Sequence, residues 1–282
     1  MTQGRFERLG EGVYVDPGYA ESFRSLGLTT VEEMFRFEGG VRLNKDNLSP
    51  DRSRLRFEIP APAATLFLKR YNRTPVLRQI RNWMESGRRV STADRDRMPG
   101  EILATAGIAT PQVVAFGAEW GRVFEQRSFV VTRMLEGAEA LERRMPQAWN
   151  PRGGSAAERR AFVEKLADFV RRFHATGYCH RDLYLAHVFC DAAERLYMID
   201  LQRAFQPRWC RWRWRIKDLA ELHYSAPGEV VSCSDRIRFF LRYVGRKRLT
   251  RLDRWRIARI RARAWRMADH DFRHGREAPF AR

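Results

Sequence analysis

Two carboxylates and an imidazole fall at telling intervals in the middle of the chain. The run Tyr178-Cys179-His180-Arg181-Asp182-Leu183-Tyr184-Leu185-Ala186-His187 is followed thirteen residues later by Asp200, which ends the apolar stretch Leu196-Tyr197-Met198-Ile199. An aspartate is ionised at neutral pH without any pKa shift, so Asp182 can accept the hydrogen bond of a hydroxyl as that hydroxyl attacks. Asp200 offers the hard oxygen that Mg²⁺ prefers, and its place at the end of an apolar strand argues against a merely solvated carboxylate. His187 is a softer ligand, able to bind a metal, to hold a metal-bound water or to orient Asp200. A base and a hard-cation site on one loop suit phosphoryl transfer, which asks a protein mainly to position reactants and neutralise charge.

The spacing resembles the protein-kinase pattern, in which H-R-D is followed five positions later by one metal-binding residue and, after a short apolar strand, by a metal-binding Asp. It departs from that pattern in carrying His187 instead of Asn and Asp200-Leu201-Gln202-Arg203-Ala204 instead of D-F-G. With those departures the resemblance becomes specific. The pieces H-R-D-x-Y-x-x-H (180–187), I-D-L-x-R-A (199–204) and K-D-L-A (217–220), the last behind a basic Trp-containing segment, are similar to the bacterial lipopolysaccharide core heptose kinases over roughly residues 60–245. The resemblance implies an α+β, two-lobed protein-kinase-like fold, with a small β-rich N-lobe over 1–134 and a mainly helical C-lobe over 135–282. It implies Asp182 as base, His187 and Asp200 as metal ligands, Asp218 as a brace of the catalytic loop, and ATP and Mg²⁺ as cofactors. The acceptor it implies is a heptose hydroxyl of the lipopolysaccharide inner core, carried on a lipid-linked core oligosaccharide. A keto-deoxy-octulosonic acid kinase, another small-molecule kinase, or a catalytically silent kinase-like protein binding an anionic glycan or nucleic acid are the alternatives.

These residues need elements to hold them. Arg54-Leu55-Arg56-Phe57-Glu58-Ile59 alternates and Thr65-Leu66-Phe67-Leu68-Lys69 is β-prone, so the two predict a hairpin through Pro60-Ala61-Pro62 with Lys69 ending its strand. Lys69 is the candidate for the strand lysine that touches the α- and β-phosphates. Two carboxylates compete to partner it: the family's spacing, counted back from Gly107-Ile108-Ala109-Thr110-Pro111, points near Asp96, whereas a short helix over 101–106 favours Glu101. Neither is favoured strongly; Lys69 and Glu101 are named as the candidate nucleotide-site residues, with Asp96 open as the alternative partner. G-x-G-x-x-G is absent, and Gly39-Gly40 is the nearest glycine pair. The run 127–132 reads as a strand. Ser155-Ala156-Ala157-Glu158 is a capping box, followed by Phe162, Leu166, Phe169 and Phe173 at helical spacing, so a long amphipathic helix ends just before His180. Ser234 is expected to cap a helix stopping at Gly245, and Thr250 with Asp253 to open a last helix running to about Asp269. Pro151-Arg152-Gly153-Gly154-Ser155 is the one linker-like stretch.

No A-P-E segment occurs between Asp200 and Asp218, which lies eighteen residues later, and this leaves little chain for a peptide platform and favours a small acceptor. That interval holds Arg208-Trp209-Cys210-Arg211-Trp212-Arg213-Trp214-Arg215. Its guanidiniums, Arg211 and Arg213 above all, can grip phosphate or carboxylate groups of an acceptor while the indoles stack sugar faces. The competing reading is a half-buried strand with core tryptophans and solvated arginines.

Composition bounds the rest. The formal charge of +19 comes from 53 basic residues, of which only Lys45, Lys69, Lys165, Lys217 and Lys247 are lysine. Such a surface draws anions, and an Arg-rich codon bias accounts for part of it. The final helix carries Arg251, Arg254, Arg256, Arg259, Arg261, Arg263 and Arg266 with Leu252, Trp255, Ile260 and Trp265, which suits an anionic inner-membrane surface or, alternatively, a packed helix with a solvated basic face. Nucleic acid is disfavoured as a partner because it leaves Asp182 and Asp200 unexplained. Cys179, Cys190, Cys210 and Cys233 show neither C-x-x-C nor zinc-like spacing. Residues 1–12 lack an apolar signal core and no apolar run is long enough to cross a bilayer, so a cytoplasmic protein, peripheral at the inner membrane, is expected.

Overall fold

The computed structural model describes residues 5–43, 51–149 and 155–279. By contact the chain divides into two units, residues 1–102 with 111–135 and residues 103–110 with 136–282. The sequence division gave 103–110 to the first lobe; Leu103 and Ile108 are instead buried in the core of the second.

The first unit is built on one antiparallel sheet. Its strands are β1 (Glu7–Gly10), β2 (Val13–Val15), β3 (Val41–Arg42), β4 (Arg52–Pro60), β5 (Ala63–Asn72), β6 (Val113–Trp120) and β7 (Glu125–Arg133), arranged in the order β1-β2-β6-β7-β5-β4-β3. Helices α1 (Ala20–Ser25) and α2 (Val31–Arg36) lie between β2 and β3 in sequence, and α3 (Val76–Ser86) and α4 (Thr92–Thr105) between β5 and β6. Alternation along β4 and β5 buries Leu55, Phe57, Ile59, Leu66 and Leu68 against Phe23, Met34 and Phe129, the period-two pattern of a sheet with one covered face. Lys69 does not end its strand. It sits inside β5, opposite Arg54 on β4 and Val130 on β7, and the strand continues because Arg70 and Tyr71 are both buried. The Gly39-Gly40 pair precedes β3, and the connection from β3 to β4 lies mostly outside the described residues.

α4 begins nine residues before the helix expected from Glu101. Pro99 looks like a breaker but sits inside the helix, while the N-terminus is set by Ser91, whose hydroxyl accepts from the Asp94 amide as Asp94 accepts from the Ser91 amide. The buried Glu125 carboxylate of β7 receives the Thr92 amide at 2.6 Å and hydroxyl at 2.9 Å, tying this helix end to the sheet.

The second unit has a small sheet of β8 (Glu139–Ala140), β9 (Val188–Cys190) and β10 (Leu196–Met198) in the order β10-β9-β8. Its helices are α5 (Leu141–Ala148), α6 (Ala156–Ala175), α7 (Arg211–Ser225), α8 (Cys233–Val244) and α9 (Arg251–Arg273). α6 has the expected Ser155–Glu158 box and buries Phe162, Leu166, Phe169 and Phe173. Residues 151–154 of the linker-like stretch lie outside the described residues. α8 is capped by Ser232 rather than Ser234, because the carboxylate that closes the box is Asp235, three residues on. α9 opens on the Thr250–Asp253 box and runs past Asp269 to Arg273. The Arg208 to Arg215 segment is no strand: Cys210 adopts left-handed backbone and α7 starts at Arg211.

Candidate active site

In the second unit, α6 stops at Ala175 and the chain turns through Gly177, at φ 87°. Cys179 then pairs backbone to backbone with Phe205, and this closes the base of a loop that carries His180 to His187. Leu183 and Leu185 are buried among Phe173, Val188 and Met198, so the loop hangs from the core by two leucines while Asp182, just ahead of them, faces outward. The Asp182 side chain is 24% exposed.

α7 supplies the brace. The buried Asp218 carboxylate accepts from the His180 amide at 2.7 Å, the Arg181 amide at 2.9 Å and His174 Nε2 at 3.1 Å. Burial pushes this carboxyl up, but the bonds from His174 and His180 outweigh it and leave its pKa below the ordinary value. One turn on, Glu221 accepts from the Leu183 amide at 3.1 Å, and Ser225 Oγ accepts from the Leu185 amide at 2.9 Å. Lys217 donates to the Arg181 carbonyl and to Glu221. Burial still raises the Glu221 carboxyl to about 7 against the pull of Lys217. Three residues of one helix face, spaced three and four apart, thus take up the loop's backbone amides. Arg181, at φ 72°, lies in the left-handed region that such bonding must impose on a non-glycine residue, and its guanidinium stacks 3.8 Å from the Phe205 ring centroid.

His187 and Asp200 meet on the outward side. His187 Nδ1 donates to the Asp182 carbonyl at 2.7 Å; since a carbonyl only accepts, Nδ1 carries a proton and Nε2 is the ring nitrogen turned away from that bond. Nε2 lies 3.8 Å from Asp200 Oδ2. An imidazole nitrogen and a carboxylate at that separation are groups able to hold a divalent metal ion between them, with the Asp182 carbonyl fixing the ring's orientation. Asp200, at φ 56° and ψ 49°, is a second non-glycine residue of the site in left-handed backbone. His180, stacked on His187 at 5.7 Å, is structural: it is fully buried, its Nε2 donates to the Ile199 carbonyl, and burial lowers its pKa.

One participant was missed. Arg203 Nη1 donates to Asp182 Oδ1 at 2.8 Å, so one carboxylate oxygen is held and Oδ2 is left for another donor. The arginine sits inside the I-D-L-x-R-A piece, and that was the available signal.

In the first unit, Lys69 Nζ donates to Asp96 Oδ2 at 2.9 Å, and the Tyr71 hydroxyl donates to the same oxygen at 2.6 Å. Glu101 is not the partner. Its carboxylate receives Arg97 at 2.8 Å, and burial raises its pKa; it lies five residues along α4 from Asp96, on a different face. Arg211 and Arg213 are exposed in the first turn of α7, whereas Trp212 packs under Arg256 and Trp214 edges onto Phe205.

Comparison with known proteins places this geometry. A family model described as Lipopolysaccharide kinase (Kdo/WaaP) family matches residues 51–259. A lipopolysaccharide core heptose(I) kinase WaaP of Pseudomonas aeruginosa is 36% identical over 151 residues, which cover 51% of this chain and 56% of that protein. The protein of the same name from Escherichia coli is 31% identical over 199 residues, covering 68% and 74%. Among solved structures, WaaP in complex with acyl carrier protein superposes with a TM-score of 0.66 at 25% identity, over 90% of this chain and 98% of that one. The match thus spans little more than half the length of the Pseudomonas relative.

Proposed function

The chain belongs to the lipopolysaccharide kinase (Kdo/WaaP) family, and from that premise we propose that it transfers the γ-phosphoryl group of ATP to a heptose hydroxyl of the lipopolysaccharide inner core, at the cytoplasmic side of the membrane that carries the acceptor. The observation that carries this reading is the convergence of Asp182, whose Oδ1 is held by Arg203, of His187, whose Nδ1 donates to the Asp182 carbonyl, and of Asp200, whose carboxylate lies 3.8 Å from His187 Nε2. Asp182 accepts the hydroxyl's proton at Oδ2, while Arg203 holds Oδ1 and with it the carboxylate's orientation. His187 Nε2 and Asp200 hold Mg²⁺, which when bound neutralises charge on the transferring phosphate. Lys69, its ammonium paired with Asp96, whose carboxylate Tyr71 also holds, is assigned to the nucleotide's α- and β-phosphates. Arg211 and Arg213 are assigned to anionic groups of the core glycan.

Incubation with ATP, Mg²⁺ and dephosphorylated core glycolipid, followed by fragmentation mass spectrometry, is expected to show one phosphate added on a heptose. Phosphate on the keto-deoxy-octulosonate instead would replace the acceptor and keep the class; no mass gain would sink both.

A second observation bears on partners. The second unit contains an apolar cavity of about 470 Å³ lined by Met145, Leu166, Leu222, Phe239, Phe240 and Ile260, with Arg236 and Arg261 also on its wall. Its size is that of a small-molecule site, and a long acyl chain fits an apolar lining with cations beside it. With a relative solved in complex with acyl carrier protein, the cavity supports an acyl carrier protein bearing its acyl chain as a partner of this chain. In native mass spectrometry, carrier bearing a C16 chain is expected to form a complex and the unacylated carrier not to. Equal complex formation by both would remove the cavity from the interaction.

A further inference from the structure

We propose that the N-terminal ends of α7 and α9 form a docking surface for an anionic lipid bilayer, a surface whose use in catalysis rests on the reading above. The two helices run side by side in the same direction. Arg256 of α9 lies 3.6 Å from the Trp212 ring centroid in the first turn of α7, and at the other end the Tyr224 hydroxyl of α7 donates to Asp271 of α9. One end of the pair therefore carries Trp209, Trp255 and Leu252, which are 82%, 53% and 50% exposed. Core packing does not use them. The buried stripe of α9 is Ile260, Ala264 and Ala268, and the indole that packs at this end is Trp212.

The charge around these side chains has one sign. Residues 246–263 contain nine Lys and Arg and a single acid, Asp253, which is fully buried and pairs with Arg246 and Arg256. Residues 205–217 contain five cations and no acid. Among the described residues, Arg208, Arg251, Arg254 and Arg259 have no carboxylate partner, and Arg259 lies over the Trp255 ring at 5.8 Å. Indoles settle at headgroup level, an exposed leucine reaches the acyl boundary, and arginines beside them meet lipid phosphates. A nucleic acid would satisfy the arginines and indoles but gives an exposed aliphatic side chain among them no partner. The same helix reaches the catalytic loop, since Lys217 of α7 donates to the Arg181 carbonyl. A lipid-linked acceptor would then be met by a protein lying on the surface that holds it. No described helix is long and apolar enough to cross a membrane.

Sedimentation of the full chain with vesicles, without ATP or acceptor, tests the surface. The chain is expected to partition onto phosphatidylcholine vesicles containing phosphatidylglycerol and to stay in solution with phosphatidylcholine alone. Arg251→Gln with Arg254→Gln should weaken that partition about 25-fold, at about fivefold per charge. Trp209→Ser with Trp255→Ser should weaken it as well and abolish the blue shift of tryptophan emission on vesicle addition. Equal partition onto neutral and anionic vesicles, indifference to both double substitutions, or preferential binding of polyuridylate over vesicles would each overturn the proposal. Transfer to a delipidated core glycan, measured on Arg251→Gln with Arg254→Gln, is expected to be unchanged. Lost vesicle binding in the wild type with intact transfer rejects the surface alone, whereas vesicle binding without transfer rejects the kinase reading alone.

Discussion

Asp182→Ala is expected to lower kcat by about 10²- to 10⁴-fold, the range of a positioned general base, in a protein that folds as before. The substitution removes a side chain that reaches outward from the loop, and Arg203, which pairs with it, has a side chain 60% exposed and returns to water. An ion pair that open contributes little to stability, so the thermal midpoint should hold. Because the carboxylate acts on the attacking hydroxyl, kcat and kcat/KM should fall together while the KM for ATP barely moves. Asp200→Ala should also abolish turnover but with a different signature, because the nucleotide is then held without one of its metal ligands. Magnesium-dependent nucleotide affinity, read by calorimetry with and without a chelator, should drop in Asp200→Ala and survive in Asp182→Ala. Wild-type turnover by the first variant would remove Asp182 from the chemistry, and equal nucleotide affinity in the second would remove Asp200 from the metal.

The two signatures differ because the loop separates its tasks, and that separation was legible in the sequence where local rules govern. The capping boxes at Ser155 and Thr250 define their helices from a few neighbouring residues, and Leu183 and Leu185 mark where the loop meets the core. Where distant groups decide, the reading failed. The partner of Lys69 depends on how α4 is phased against β5, and that phase is set by the Thr92 to Glu125 contact, 33 residues apart. Lys69 was read as the end of its apolar strand, yet the strand goes on through Arg70, which is buried with its guanidinium donating to the Met34 and Phe37 carbonyls, and no charge pattern reveals that. The alternating Trp and Arg of 209–215 have the period of a strand and form a helix, since Trp212 and Trp214 are covered by Arg256 and Phe205 rather than by an apolar stripe. Arg203 lay in view within a motif, but its pairing with Asp182 needs the turn at Asp200 to bring the two together.

Asp218→Ala should have the opposite profile to Asp182→Ala, losing stability and activity at once. Its carboxylate is fully buried and takes up the His180 and Arg181 amides as well as His174. Truncation strands two buried amide donors, at about 1–3 kcal/mol each, against a total stability on the order of 5–15 kcal/mol. It also frees Arg181 from the bonds that hold its left-handed backbone, so the loop relaxes and Asp182 loses its position even in molecules that stay folded. Urea unfolding should show a midpoint lowered in proportion with an unchanged slope. Asp218→Asn should recover only part of the loss, because its amide nitrogen is a donor set against a second donor where the carboxylate had an acceptor. The folded carboxyl has a lowered pKa, so the brace's contribution is present above the unfolded value and is lost as pH falls through the folded one. The wild type should therefore destabilise on strong acidification more steeply than Asp218→Asn. An unshifted urea midpoint in Asp218→Ala, together with lost turnover, would make Asp218 a participant in the chemistry and end its role as a brace.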